Sequence, residues 1–64
     1  MRARRDIEHG GRVVTLELDV RPTWGVIVRA VDETGQAVEP SALGLSAERI
    51  DKLAASIYAD ECGN

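Results

Sequence analysis

The sequence is short of almost everything that small proteins use to hold themselves together. Its only cysteine is Cys62, so no internal disulfide can form. Its only histidine is His9, and one histidine with one cysteine falls short of the ligand set of a structural zinc site. Phenylalanine is missing, and Trp24 and Tyr58 are the only aromatic residues. Apolar runs are short, as in Val26-Ile27-Val28, far below the ~20 residues of a membrane-spanning helix. Residues 1–11 are basic but hold no apolar stretch, so they do not read as a secretory signal. With one unpaired cysteine, a reducing, cytoplasmic setting is expected. At 64 residues the chain makes one domain, and at that size only about 60% of the unfolded surface is buried on folding. Such scaffolds lean on disulfides, metals or association. With the first two missing, a homodimer or another protein partner is the expected support.

Motifs that carry chemistry are also scarce. His9 sits beside two glycines and reads as a turn residue rather than a base. Ser41, Ser46 and Ser56 lack the G-x-S-x-G setting of a hydrolase nucleophile. No GxxxxGK[ST] or GxGxxG segment is present to cradle phosphates. Asp60, Glu61 and Cys62 lack the further ligands that a metal site needs. No catalytic residue, cofactor or metal is therefore assigned, and an enzyme is not expected.

What is present is a clear pattern. Residues 13–20 alternate, with Val14, Leu16, Leu18 and Val20 on one side and Val13, Thr15, Glu17 and Asp19 on the other, as in a half-buried strand. Pro22 breaks the run. Residues 24–32 are apolar on both parities, which predicts a central strand covered on both faces. The loop Asp32-Glu33-Thr34-Gly35-Gln36 leads to a short third strand at 36–39, stopped by Pro40. Gly10-Gly11 could turn residues 3–8 back as an extra edge strand, although Ile7 is their one sizeable apolar anchor. Ser46 is placed to cap a helix, with Leu45 and Ile50 as a hydrophobic staple and Glu48–Lys52 as an i,i+4 pair. Ile50, Leu53, Ala54, Ile57 and Tyr58 share one helical face, and Gly63 is placed to end it.

The fold class that follows is α+β: a three-stranded antiparallel β-meander, four-stranded if residues 3–8 join, with one C-terminal α-helix packed on one face. Residues 1–11 read as a basic, flexible arm and 12–64 as a single ββ(β)α domain. One helix covers two to three strands. The expected core is Val14, Leu16, Leu18, Val26, Val28, Leu53, Ala54 and Ile57, with Trp24 as a large plug beside it. A β-bulge at Gly25 would send Trp24 to the opposite face.

The uncovered sheet face is then the candidate site. Val13, Thr15, Ile27, Arg29 and Val31 form an apolar strip rimmed by charge, the composition of a protein-interaction or homodimer surface. The net charge of −3 divides unevenly: residues 1–12 sum to +2 and residues 13–64 to −5. An acidic body repels phosphates, so nucleic acid is the disfavoured partner, with Arg2, Arg4, Arg5 and Arg12 as its only candidate contacts. The acidic residues at 60 and 61 oppose the helix dipole and read first as a solvated acidic tail, with pairing to a partner's basic groups or to the N-terminal arginines as the alternative. The expected function is a small non-enzymatic interaction module acting as an adaptor, subunit or inhibitor, a compositional type that includes accessory products of phages and mobile elements. A nucleic-acid-associated protein using the arginine arm or a β-ribbon is the alternative.

Overall fold

Gly10 and Gly11 settle the topology. Both take positive φ, 59° and 78°, the conformation of a two-residue hairpin turn whose twist matches that of its strands. In the computed structural model, which describes residues 1–62, this turn joins β1 (Arg2–His9) to β2 (Arg12–Val20). A second reversal at 21–24 leads into β3 (Gly25–Asp32). A 3-10 turn, Pro40–Leu43, and the helix α1, Ala47–Cys62, complete the chain; Gly63 lies outside the described residues.

The fold is α+β, a three-stranded antiparallel sheet in the order β1-β2-β3 with α1 packed on β3 and β2. The strand inventory differs from the pattern-based expectation in two ways. Residues 2–9 are a full strand paired along their length with β2, not a flexible arm, and this makes β2 the central strand and β3 a margin. Residues 36–39 contribute only the bridge Val31–Ala37. β1 needs few apolar anchors because the helix barely reaches it; Ala3 and Ile7 touch the core and the other side chains stay wet.

The core is Val14, Leu16, Leu18, Val20, Ala30, Leu43, Ala54 and Ile57, with Leu53 partly buried against it. The four β2 members sit on the expected parity. β3 does not keep its own. Leu18 pairs with Ile27 but Glu17 pairs with Arg29, so Val28 is an extra residue in a β-bulge. The bulge shifts the alternation: Ile27 and Ala30 turn to the helix, while Val26 and Val28 are left 52% and 46% exposed. Val26 and Val28 are thus outside the core, and Ile27 packs against it. Trp24, on the parity of Val26, is 46% exposed and is no core plug. At this end of the sheet the helix comes too close to leave room for an indole, and Leu43 from the 3-10 turn is buried at the other end, near Ile7 and Leu53.

That approach depends on Gly25. A Cβ there would collide with the Cβ of Ala54 on α1. The same residue donates its N–H to the Asp51 carboxylate at 3.1 Å, tying β3 to the helix. The helix start follows its sequence signals: Arg49 N–H donates to Ser46 Oγ at 3.2 Å, and Leu45 and Ile50 both pack on the core. Lys52 and Glu48 pair at 3.4 Å, both well exposed, which adds little stability.

Candidate interaction surface

The uncovered side of the sheet is built from alternate residues of each strand. From β1 come Arg2, Arg4, Asp6 and Glu8, paired in register with Asp19, Glu17, Thr15 and Val13 of β2. β3 adds Val26 beside Asp19, Arg29 beside Glu17 and Val31 beside Thr15. Its middle is polar. Glu17 receives Arg2 at 3.6 Å and Arg4 at 4.0 Å, and the Thr15 hydroxyl donates to Asp6 at 2.7 Å. Arg4, Thr15, Glu17, Arg29, Val31 and Gly35 line a shallow open depression in this region.

Of the residues assigned from the sequence, Val13, Thr15, Arg29 and Val31 do occupy this side. Ile27 does not, because the bulge turns it to the helix. Val13 is exposed but lies beside the Gly10-Gly11 turn, at the far end of β2 from Trp24. The expected apolar centre of Val13, Ile27 and Val31 is therefore not assembled.

A different apolar strip exists. Trp24, immediately before β3, and Val26 and Val28 within it follow one another at alternate positions, each about half exposed. Arg21 lies over the Trp24 ring, its guanidinium carbon 5.8 Å from the centroid, and also pairs with Asp19 at 3.6 Å. Cation–π contact and ion pair together hold Arg21 and the indole as a unit at the end of the strip. At the other end Arg29 makes no ion pair among the described residues. The strip is thus apolar along its length with a cation at each end.

The sequence contains one signal for this arrangement. Gly25 marks the close approach of the helix, which puts Gly25 on the covered side and its neighbours Trp24 and Val26 on the open one. Nothing in the residues themselves marks the bulge at Val28.

The alternative set of arginines is dispersed. Arg2 and Arg4 sit over Glu17; Arg5 turns to the helix side, where it donates to Glu61 at 3.2 Å; Arg12 flanks the hairpin turn. The pairing of the 60–61 carboxylates with an N-terminal arginine is realised in this Arg5–Glu61 bridge. The arginines therefore form no single basic patch.

Among the described residues no group of three or more potential ligands could hold a metal ion, and no helix is long and apolar enough to cross a membrane. Asp32 is held by its own loop, accepting from the Thr34 hydroxyl, from Thr34 N–H at 2.9 Å and from Gln36 N–H at 2.9 Å. The Thr34 hydroxyl, followed by the Gln36 amide, holds its carboxyl below the usual range. Its role is to fix the turn after β3. The chain matches no protein-family model, no curated protein and no solved structure at a significant level.

Proposed function

We propose that the protein is a non-enzymatic interaction module whose contact surface is the Trp24-Val26-Val28 strip, bounded by Arg21 and Arg29. The observation that carries this is the exposure of all three side chains at alternate positions of residues 24–28 in a chain that has few large apolar residues to spare. A small domain gains stability by burying such groups, so leaving them out calls for a partner to cover them. Tryptophan and arginine at a surface are the residue types that dominate binding energy. The cations at both ends favour a protein segment with apolar side chains at its centre and carboxylates at its margins.

A random-peptide display library selected against the folded protein tests this. Enriched peptides are expected to combine apolar residues with Asp or Glu, to shift Trp24 emission to the blue on binding, and to lose binding to a Val26→Asp variant. Enrichment insensitive to Val26→Asp and Trp24→Ala would move the contact surface elsewhere. Both side chains are outside the core, so the variants remain folded and the comparison stays readable.

A further inference from the structure

The two margins of the sheet differ in how much backbone they leave unpaired. On β3, Ala30 C=O accepts from Val38 N–H, Asp32 N–H donates to Gln36 C=O, and Gly25 N–H goes to Asp51. Only the short bulged stretch between them is open. On β1, Ala3, Arg5 and Ile7 face β2 with their backbone groups, as the pairing with Leu18, Leu16 and Val14 and the bond from Val20 N–H to Met1 C=O require. Arg2, Arg4, Asp6 and Glu8 therefore turn their N–H and C=O groups outward along the whole strand. The contact seen there is the Arg5 guanidinium, which donates to Arg4 C=O at 2.7 Å and leaves that oxygen a second lone pair.

We infer that this margin pairs with the same margin of a second copy, β1 antiparallel to β1 about a two-fold axis at Arg5. The charge order along the strand carries the inference: Arg2 and Arg4 are positive, Asp6 and Glu8 negative. With the axis at Arg5, Arg2 faces Glu8 of the second copy and Arg4 faces its Asp6, and the same pairs recur in reverse. Each of these residues is one whose backbone points outward, so every outward N–H and C=O gains a partner in the same register. Other positions of the axis match fewer charges. At Ala3 it opposes Arg2 to Arg4 and at Ile7 Asp6 to Glu8, while at Arg4 or at Asp6 that residue opposes itself and only Arg2 with Asp6, or Arg4 with Glu8, stays matched. Like charges directly opposite are destabilising.

On the helix side the same register sets Ala3 against Ile7 of the second copy, and both are half-buried side chains already touching the core. The two Arg5 residues meet at the axis, each with its own Glu61 as counter-charge at 3.2 Å. Opposed residues of an antiparallel pair share a face, so both helices lie on one side and a single continuous sheet spans the pair. The Trp24-Val26-Val28 strips are then carried at its two outer margins, clear of the new contact.

Sedimentation of the full chain from micromolar to millimolar concentration, at low and high salt, tests the inference. The wild-type mass is expected to rise to that of two chains, with dissociation promoted by salt. Arg4→Glu alone and Asp6→Arg alone are expected to remain single chains, because each opposes like charges at both equivalent positions. Their equimolar mixture is expected to re-form a dimer, since opposite charges then face each other at both contacts between positions 4 and 6. The double variant Arg4→Glu/Asp6→Arg restores self-complementarity and is expected to dimerise within a few-fold of wild type, which keeps the test decisive if a single variant folds poorly. A wild type that stays single-chain throughout, or single variants that dimerise as wild type does, would overturn it. Val26→Asp separates the two surfaces: it should abolish peptide capture and leave the dimer mass unchanged.

Discussion

β1 and β3 both border β2, yet β1 is charged and bare along its outer side whereas β3 is apolar, bulged and tied down at both ends. The difference follows distance from the helix. α1 lies over β3 and β2, and where it comes closest the strand carries Gly25 against Ala54. β1 is touched from the helix by the Glu61 carboxylate, so even on its helix side position 5 can be an arginine. Small residues on a strand therefore report a helix overhead, and alternating charge reports its absence. A charged margin is also a common guard against unwanted strand addition; on β1 the order of the charges makes that guard selective.

The largest effect that could break this comparison lies at Gly25. Gly25→Ala should lose about 3 kcal/mol or unfold the domain, because the added methyl meets Ala54 and the helix would have to lift. Chemical denaturation with circular dichroism measures it, and a near-neutral result would mean the helix does not sit so close to β3. Next come the neighbours on either side of the strand. Ile27→Ala should cost about 2 kcal/mol, while Val26→Ala should stay within about 0.5 kcal/mol. The reversed order would restore an unbulged strand with Val26 and Val28 inside.

Smaller still is the tie between β1 and the helix. Arg5→Ala or Glu61→Gln should each cost about 0.2–1 kcal/mol, diminishing at high salt, because both partners are partly exposed. A double-mutant cycle on monomeric protein isolates that bridge. The smallest effect concerns the loop after β3. Asp32 has a folded-state pKa below its unfolded value, so its contribution is present above the ordinary carboxylate range and is lost as pH falls through the folded pKa. A carboxyl-carbon NMR titration should show Asp32 titrating below the ordinary aspartate range, and Thr34→Val should move it upward.

Much of the fold was legible because local and tertiary signals agree. The alternation of residues 13–20 gives β2 its buried side, and Ser46, Leu45 and Ile50 place the start of the helix where it is observed. The Gly10-Gly11 turn was visible as well, but Ile7 alone underweighted the strand it creates. The candidate site was legible only in part. Thr15, Arg29 and Val31 stand on the open side as alternation predicts, while Ile27 and Trp24 exchange the places expected of them. The cause is a single unpaired residue: apolar side chains on both parities of 24–32 satisfy either phase, so periodicity could not choose between them. Leu43 was missed because a 3-10 turn has no repeat from which to read its buried side.

The bulge at Val28 also marks where this chain can change its length. Because Ile27 faces Leu18 and Arg29 faces Glu17, removing Val28 would close the ladder into regular pairing without changing which of the remaining β3 side chains lie inside. A deletion elsewhere in the strand would exchange interior for exterior. Natural variants one residue shorter are therefore expected to have lost it here, and such a chain would carry a flatter outer strand, more open to addition along its border.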